Sequence, residues 1–312
     1  MTPVAQYPLV SIVTPSYNTA RFLEAAIASV LAQDYPRIDY IVADGGSTDG
    51  TLEILEKCAA RLRYFSRPDA GPADAVNRAF REAPGTILAI LPADDLLAPG
   101  AVSSAVAALR EHPGAAAVYG EACWMDEQGR PLGPYPTRPF DRDLLARECF
   151  ISMPACFFRR EALESIGPLD DSFRLGWDHD LWIRMSRRHE LRKIDVPMAS
   201  VRMHARTKTL GERRQVFEEG MRVLRKHYGY IPFSWVHGYC CYRIDGRDQF
   251  FEPLRPSVLK YLVSLPAGLW LNRRHPIRYG REWASVMTRA ALERRWRARR
   301  RGASPETPIS PR

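Results

Sequence analysis

Short β-branched and aliphatic runs alternate with helical apolar spacing over the first hundred residues. Strands are predicted over residues 9–14, 40–43, 62–65 and 86–91, each closed by a polar or proline-containing loop. Helices are predicted between them over residues 19–33, 51–60 and 73–82, from apolar residues three and four positions apart. This alternation predicts an α/β fold with a mostly parallel sheet flanked by helices, whose ligands bind beyond the carboxyl ends of the strands.

The second half of the chain is less regular. It predicts a hairpin around 126–129, a proline-rich loop over 131–139, strands over 150–158 and 196–203, and helices over 160–166 and 178–188. Beyond about residue 210 the pattern becomes helical and basic. We therefore expect a main domain over 1–210, a helical basic extension over 211–303 and a disordered tail over 304–312.

Charge is concentrated at the C-terminal end of the 312-residue chain. The formal net charge is +9, and the segment from Arg273 to Arg301, with eleven arginines and two glutamates, accounts for all of it.

Hydrophobic residues make up 46% of the chain, which excludes a disordered or collagen-like protein. The longest apolar run, 258–271, is too short to span a membrane. Six scattered cysteines and no signal peptide predict reduced thiols and a cytoplasmic location.

Two adjacent carboxylates, Asp94 and Asp95, follow the apolar run 86–91. Such a pair repels itself unless a cation shares the site, and Mg²⁺ or Mn²⁺ prefers oxygen ligands that it can share with phosphates. Taken alone, the pair favours a surface turn that caps the next helix. Its position at the ligand edge of the predicted sheet favours the metal.

Acidic side chains also follow other strands. Asp44 is either an Asx-turn residue or an acceptor for a nucleotide, whereas Asp49 is expected to bond local backbone. Asp178 and Asp180 begin a predicted helix, where the dipole explains one carboxylate and leaves the other available as a general base. His204 ends a predicted strand and could complete a metal shell if the chain returns it to the acidic pair.

Six motifs in order carry a family resemblance over roughly the first 205 residues. They are LVSIVTPSYN, VADGGSTDGT, RPDAGPADAVNRAF, ILAILPADDLLAPGA, WDHDLWIRM and VRMH. Together they strongly resemble the inverting family-2 glycosyltransferases of GT-A fold, which is more specific than any single motif. Two positions depart from the family pattern: Trp177 stands where Glu is common, and Pro72 where a polar residue is usual.

The resemblance implies roles for the nucleotide-side residues. Pro15 and Tyr17 match the loop that lies against the nucleotide, and Asp44 matches the acid that binds the base. A segment near the sugar diphosphate is matched by Asp69, Gly71, Asp74 and Asn77. Residues 1–100 would then form the nucleotide-sugar half and 101–210 the acceptor half of a GT-A domain.

The resemblance also implies a reaction centre. Asp94 and Asp95 match the metal-and-ribose motif, with Asp95 the expected direct ligand, and His204 matches a histidine that approaches the metal or diphosphate. Asp178 matches the catalytic base. The implied enzyme uses Mg²⁺ or Mn²⁺ to transfer a sugar from a nucleoside-diphosphate sugar to a glycan or lipid-linked acceptor, with inversion. Acceptor choice is expected to lie with the 131–139 loop, the 138–158 region and the extension.

The basic extension allows two interpretations. Helical spacing of Trp283, Val286 and Met287 among arginines predicts either peripheral attachment of 258–301 to an anionic membrane, on its inner face, or a helix packed on the main domain. Two other function classes are a donor-binding protein without transfer and a nucleic-acid binder that uses the arginines. Nucleic acid is not expected as a partner, because no recognition motif and few aromatic residues accompany the arginines.

Overall fold

The structure, a computed structural model, describes residues 7–246 and 257–301, with side chains of the last helix up to residue 289. The strands are β1 Val10–Ser16, β2 Ile38–Asp44, β3 Arg63–Ser66, β4 Ile87–Ile90, β5 Leu96–Leu97, β6 Ala115–Met125, β7 Pro131–Pro134, β8 Cys156–Arg159 and β9 Glu190–Arg202. The helices are α1 Ala20–Leu31, α2 Thr51–Cys58, α3 Pro72–Glu82, α4 Ala101–Glu111, α5 Arg142–Leu145, α6 Arg160–Ile166, α7 Trp177–Arg188, α8 Lys208–Gly211, α9 Arg213–Tyr228, α10 Phe233–Asp245, α11 Val258–Leu271 and α12 Pro276–Arg301.

The strands form one mixed sheet in the order β3-β2-β1-β4-β8-β6-β9-β5, with β7 paired to β6. Strands β1 to β4 are parallel to one another, as β6 is to β9, and the antiparallel pairings involve β5, β7 and β8. The predicted α/β fold, a mostly parallel sheet flanked by helices with helices at the C-terminal end, is confirmed. The carboxyl ends of β1, β2, β3 and β4 therefore share one edge.

Burial explains why the hydrophobic pattern of the first half predicted its strands and helices. Every residue of β4 is buried, so its continuous apolar run is that of a strand covered on both faces. Helix α1 buries Leu23, Ala26, Ile27 and Val30, which repeat at the three- and four-residue spacing of one helix face. A single large core lies between the sheet and these helices.

In the second half the strands have different bounds from those that the sequence predicted. The strand expected over 150–158 is confined to β8, and a 3₁₀ turn over Met153–Ala155 precedes it. Pro154 in that turn has no backbone N–H to donate to a ladder, which shortens the strand. The hairpin around 126–129 is confirmed by the pairing of β6 with β7, so the first part of the predicted 131–139 loop is a strand.

The chain divides into two compact units, 1–227 and 228–312. Helix α9 thus lies almost wholly in the first unit, although the sequence pattern placed the boundary near residue 210. In the second unit, α10, α11 and α12 pack on one another. Over the described ranges 7–246 and 257–301, every helix is too short or too polar to cross a bilayer. The predicted disordered tail, 304–312, lies outside the described residues.

Candidate active site

The loops that follow β1 and β2 are joined to each other at the carboxyl edge of the sheet. The Asn18 backbone N–H donates to Ser47 Oγ at 2.7 Å, and the Thr48 N–H donates to Asn18 Oδ1 at 2.9 Å. Asn18 adopts a left-handed backbone conformation, with φ of 52°, which Asn tolerates better than most residues. This junction leaves Pro15 half-buried at the end of β1 and Tyr17 beside it, 65% exposed to solvent.

Asp44, at the end of β2, is fully buried and accepts four hydrogen bonds. The donors are the backbone N–H groups of Gly46 and Ser47 and the hydroxyls of Ser47 and Ser66. Asp44 therefore holds the loop in the way that an Asx turn predicts. The geometry favours that structural role over direct contact with a ligand, because no surface of the side chain is open.

Gly45 lies where three parts of the site meet, and sequence reasoning missed it. A Cβ atom built on Gly45 would lie 2.7 Å from Asp69 Oδ2 and 3.4 Å from a Tyr17 ring carbon. Any side chain would therefore displace the Asp69 carboxylate. Because the loop after β2, the Asp69 carboxylate and the Tyr17 ring are this close, they form one continuous wall.

The segment after β3 leads directly into α3. Asp69 Oδ1 accepts the Gly71 N–H at 2.8 Å, and burial raises the pKa of the Asp69 carboxyl. Asp74 accepts the Ala70 N–H at 3.1 Å and forms an ion pair with Arg78 four residues on. Both carboxylates thus shape the turn that begins α3, whose first residues follow Gly71.

Asn77 is engaged away from any open surface. Its amide donates to the Leu169 carbonyl at 2.8 Å and accepts the Leu169 N–H at 2.9 Å. The side chain pairs with both the N–H and the carbonyl of Leu169, as a neighbouring strand would. This contact ties α3 to the segment before α7. Asn77 therefore supports the expected donor site through the fold, because its side chain is occupied by Leu169.

The acidic pair after β4 meets the end of β9. Asp95 Oδ1 accepts the Arg202 N–H at 2.8 Å, and the Asp94 carbonyl accepts Arg202 Nε at 2.9 Å. His204 Nε2 lies 3.2 Å from Asp94 Oδ2. The Phe22 ring of α1 packs against the His204 ring at a tilt of 39°, with centroids 4.7 Å apart, and lies under the Arg202 guanidinium. The histidine is thus returned to the acidic pair, and it pairs with Asp94 rather than with Asp95.

The charge balance here suits a cation. Burial, followed by repulsion from Asp94, raises the pKa of the Asp95 carboxyl well above its usual range. The guanidinium of Arg202 donates to backbone carbonyls, including those of Asp126 and Glu127, and not to the Asp94 or Asp95 carboxylates. Across the described side chains, no three His, Cys, Asp or Glu residues converge as a finished metal shell. Asp94, Asp95 and His204 nevertheless offer the oxygen and imidazole donors that Mn²⁺ or Mg²⁺ accepts, so these residues fit such an ion.

Asp178 lies in the first turn of α7 and is half-buried. Its carboxylate accepts the His179 N–H at 2.8 Å. Burial raises the pKa of Asp178 to about 6, and the backbone hydrogen bonds oppose that shift. A carboxylate with this pKa is ionised at neutral pH and is a stronger base than an exposed aspartate.

Asp180, two residues on, has the structural role that the sequence left for one of the pair. It is fully buried and forms ion pairs at 2.7 Å with Arg184, Lys226 and His227. These partners hold the pKa of the Asp180 carboxyl well below its usual range, against the effect of burial. Because Lys226 and His227 belong to α9, the network fixes α7 against α9.

A second contact from α9 orients the start of α7. Glu219 accepts the backbone N–H groups of Arg174, Leu175 and Gly176, at 3.2, 2.7 and 3.1 Å. These groups lie immediately before Asp178. Glu219 is therefore a positioning residue, and sequence reasoning missed it because it lies in what the pattern assigned to the extension.

Tyr135 connects the acidic pair to the candidate base. Its hydroxyl donates to the Cys149 carbonyl at 3.3 Å, and its ring packs on Trp124. Burial raises the pKa of Tyr135 well above its usual range, and the negative charges of Asp178 and Asp95 add to that shift. The Tyr135 hydroxyl is therefore affected by a carboxylate that follows β4 and by one that begins α7. The only sequence signal was its position in the proline-rich loop.

Lys208, in α8, carries a cation four residues after His204. Its pKa lies below the usual range because surrounding protein desolvates the ammonium and Arg174 repels it. Glu212, Asp94 and Asp69 oppose that shift, so the lysine lies within reach of two acids from different loops. A lysine shortly after His204 was the available signal. Such an ammonium can neutralise a phosphate group.

A separate cavity of about 600 Å³ lies at the opposite edge of the sheet. It is lined by the amino end of β4 and by Arg159, Arg160 and Glu161, among others. None of the predicted site residues lines it. In sheets of this kind ligands bind at the carboxyl edge, so we assign the candidate active site to the acidic cleft.

Comparison with known proteins links the chain to one family. Residues 11–167 match the model described as Glycosyl transferase family 2. The PGL/p-HBAD biosynthesis glycosyltransferase of Mycobacterium bovis (strain BCG / Pasteur 1173P2) is 35% identical over 182 residues, which cover 57% of this chain and 69% of the relative.

Two solved structures are similar in fold. The mannosyltransferase PcManGT from Pyrobaculum calidifontis, in complex with GDP-Man and Mn²⁺, gives a TM-score of 0.56 at 21% identity and covers 92% of this chain and 76% of that one. S. aureus TarS 1–349, in complex with UDP-GlcNAc, gives a TM-score of 0.56 at 15% identity, with 83% and 79% covered. At these identities the likeness concerns the GT-A-type fold alone.

Proposed function

Because the chain belongs to glycosyl transferase family 2, we propose that it transfers a sugar from a nucleoside-diphosphate sugar to an acceptor hydroxyl with inversion of configuration. One observation carries the proposal: Asp94, Asp95 and His204 meet at the carboxyl edge of the sheet, whereas Asp178 belongs to a separate element, α7. A base must reach the acceptor proton while the leaving group is neutralised elsewhere, and this arrangement separates the two tasks.

The donor would lie along the carboxyl edge of β1 to β4. Tyr17, exposed beside Pro15, offers a ring face to the nucleotide base, and the Asp44 loop supports that wall from beneath. The charges of Asp69 and Asp94 act on the pKa of Lys208, which supports its ammonium as a partner for the diphosphate. Gly71, Asp74 and Asn77 shape the start of α3 beside them. PcManGT binds GDP-Man and TarS binds UDP-GlcNAc, which supports a nucleotide sugar as the donor class.

A divalent cation, Mg²⁺ or Mn²⁺, would be held by Asp95 and His204 with Asp94 between them. The raised pKa of Asp95 supports this assignment, since a cation would relieve the repulsion that raises it. Mn²⁺ accompanies GDP-Man in PcManGT. When bound, such an ion neutralises the negative charge that develops on a diphosphate leaving group.

Asp178 would act as the general base. It takes the proton from the acceptor hydroxyl as that oxygen attacks the anomeric carbon from the face opposite the diphosphate. The bond from the anomeric carbon to the diphosphate breaks in the same displacement, so the configuration inverts. Glu219 and the Asp180 network keep the start of α7 in place for this step. An oriented base of this kind contributes about 10²–10⁴-fold to the rate.

The acceptor class is a glycan or a lipid-linked glycan. The relative from Mycobacterium bovis carries the name of a PGL/p-HBAD biosynthesis enzyme, which supports glycolipid or polysaccharide synthesis. The effect of Asp178 on the pKa of Tyr135 supports the 131–139 loop as part of the acceptor side. The cytoplasmic face of the cell membrane, expected from the sequence, stays a prediction.

A panel of nucleotide sugars tests the proposal. The purified chain is mixed with each nucleotide sugar in the presence of Mn²⁺, Mg²⁺ or EDTA, and the thermal midpoint and release of nucleoside diphosphate are measured. We expect one donor to raise the midpoint only with the metal; at a hundred times its Kd it stabilises the fold by about 2.7 kcal/mol. If every donor leaves the midpoint unchanged with either metal, the proposed function is wrong.

A further inference from the structure

Helix α11 buries polar and small residues and exposes apolar ones, which is the reverse of a helix in water. Its buried residues are Lys260, Ser264 and Gly268, which are polar or small. Its exposed large side chains are all apolar, namely Val258, Leu259, Leu262, Val263 and Trp270, with 39–71% of their surfaces accessible. At 100° per residue these exposed positions form one continuous strip along the helix.

Specific contacts fix the helix in this orientation. Lys260 Nζ forms an ion pair with Asp245 of α10 at 2.7 Å. Gly268 packs directly under Tyr279 of α12, since a Cβ at Gly268 would lie 1.8 Å from the ring. Rotating α11 to bury its apolar strip would break both contacts. The exposed strip is therefore built into the second unit.

The apolar surface extends beyond α11 itself. A groove of about 320 Å³ beside the strip is lined by Ile244 of α10 together with Val263 and Trp270. Past the end of α11, Ile277 is 71% exposed. A contiguous apolar surface of this kind marks an interaction site, whereas single exposed apolar residues are ordinary.

The charges around the strip select the partner. Between residues 257 and 281 the sequence contains Lys260, four arginines and no acid. The arginines Arg273, Arg274, Arg278 and Arg281 are all exposed at the Trp270 end of α11, whereas Lys260 is buried in its ion pair. Glu282, the next acid, is occupied by the Tyr230 hydroxyl and the Phe233 N–H.

We propose that the apolar strip of α11 and the adjoining arginines form a docking surface for an anionic lipid bilayer. The strip would enter the interface with Trp270 at headgroup level, where tryptophan is favoured, and the arginines would contact lipid phosphates. The sequence pattern predicted membrane contact over 258–301, with α12 as a basic amphipathic helix. In the structure Tyr279 and Trp283 of α12 face α11 instead, so α12 contributes charge. This surface is independent of the proposed transfer reaction.

Cosedimentation of the full chain with vesicles tests the docking surface without any substrate. The probes are phosphatidylcholine vesicles and vesicles in which about one third of the lipid is phosphatidylglycerol. We expect binding to the anionic vesicles, and at least a tenfold loss, as an order of magnitude, in Leu259→Gln/Leu262→Gln. Glutamine keeps helix propensity, so circular dichroism and the thermal midpoint should match those of the unsubstituted chain.

Two further variants separate the apolar and charged contributions. Leu132→Gln, which changes a leucine of similar exposure in the first unit, should bind as the unsubstituted chain does. Arg273→Gln/Arg274→Gln should lose on the order of tenfold on anionic vesicles and nothing on neutral ones. Equal vesicle binding by the leucine variant and its control would overturn the proposal. A concentration-dependent dimer that the leucine variant abolishes, without vesicle binding, would overturn it in favour of a second copy.

Discussion

His204 Nε2 lies 3.2 Å from Asp94 Oδ2, although 110 positions separate the two residues in the chain. The contact depends on the pairing of β9 with β6, which continues through Arg202 and carries the chain back to the end of β4. Asp95 is fastened to the same place by the Arg202 N–H. The acidic pair and the histidine are therefore held together by backbone before any ligand arrives.

Asp95→Asn tests whether this cluster serves a cation. The variant keeps an oxygen that can accept the Arg202 N–H but removes the charge, so we expect at least a hundredfold weaker Mn²⁺-dependent donor binding, as an order of magnitude. Without metal, the variant should be as stable as the unsubstituted chain or more so. The reason is that the raised pKa of Asp95 means that folding disfavours its ionised form. Calorimetric titration with and without EDTA measures the first effect; metal-dependent binding equal to that of the unsubstituted chain would contradict it.

The pKa of Asp178 predicts a pH profile. Its pKa of about 6 in the folded protein lies above the usual value of 3.8, so the carboxyl is protonated below about pH 6 and ionised above it. Because a base must be ionised, kcat/KM should rise through about pH 6 with the slope of one proton and level off at neutral pH. Measuring donor affinity over the same range provides the control. A profile that stays flat from about pH 5 to 8 is incompatible with this base.

Asp180→Asn should destabilise the first unit strongly. The buried carboxylate pairs with Arg184 and Lys226 and contacts the His227 ring, and breaking such a network from one side costs about 3–5 kcal/mol. Asp170→Asn is the matched control, because Asp170 contacts the same Lys226 at 2.7 Å near the surface, where a pair contributes about 1 kcal/mol or less. Denaturant unfolding of both variants gives the comparison. Similar losses in the two variants would show that burial of Asp180 does not matter.

Gly45→Ala should weaken donor binding. The added methyl group would lie 2.7 Å from the Asp69 carboxylate, and relieving such overpacking costs about 1–3 kcal/mol. We therefore expect donor affinity to fall about tenfold, at 1.4 kcal/mol per factor of ten. Gly114→Ala controls for the substitution itself, because a Cβ there meets nothing within 4 Å. Unchanged affinity in Gly45→Ala would remove Asp69 and the Gly45 loop from the donor site.

The sequence predicted the parallel half of the sheet because β1, β2 and β4 are mostly buried and the loops are marked by Pro, Gly and Asp. Asp178 and Asp180 were recognisable as two carboxylates with different tasks. Which one is structural depends on Lys226 and His227, which reach it only after the chain has folded. Asn77 shows the same limit, since its partner Leu169 lies 92 positions away and no local pattern signals that contact.

The second unit shows a different limit. The apolar spacing of 258–271 correctly predicted a helix-compatible segment, but spacing alone does not say which face is buried. That choice is made by the Lys260–Asp245 ion pair and by the close contact of Gly268 with Tyr279. Both depend on neighbouring helices, so only the structure reveals an apolar strip that faces outward.

Asp178→Asn tests the central claim most directly, once the nucleotide-sugar panel has identified a donor. The substitution preserves size and removes the base, so donor Kd should match that of the unsubstituted chain while transfer falls by about 10²–10⁴-fold. Release of nucleoside diphosphate in a single turnover, measured beside the donor Kd, separates the two effects. Loss of transfer with intact donor binding is the predicted result. Transfer at the unsubstituted rate would contradict the assignment of Asp178 as the base and, with it, the mechanism.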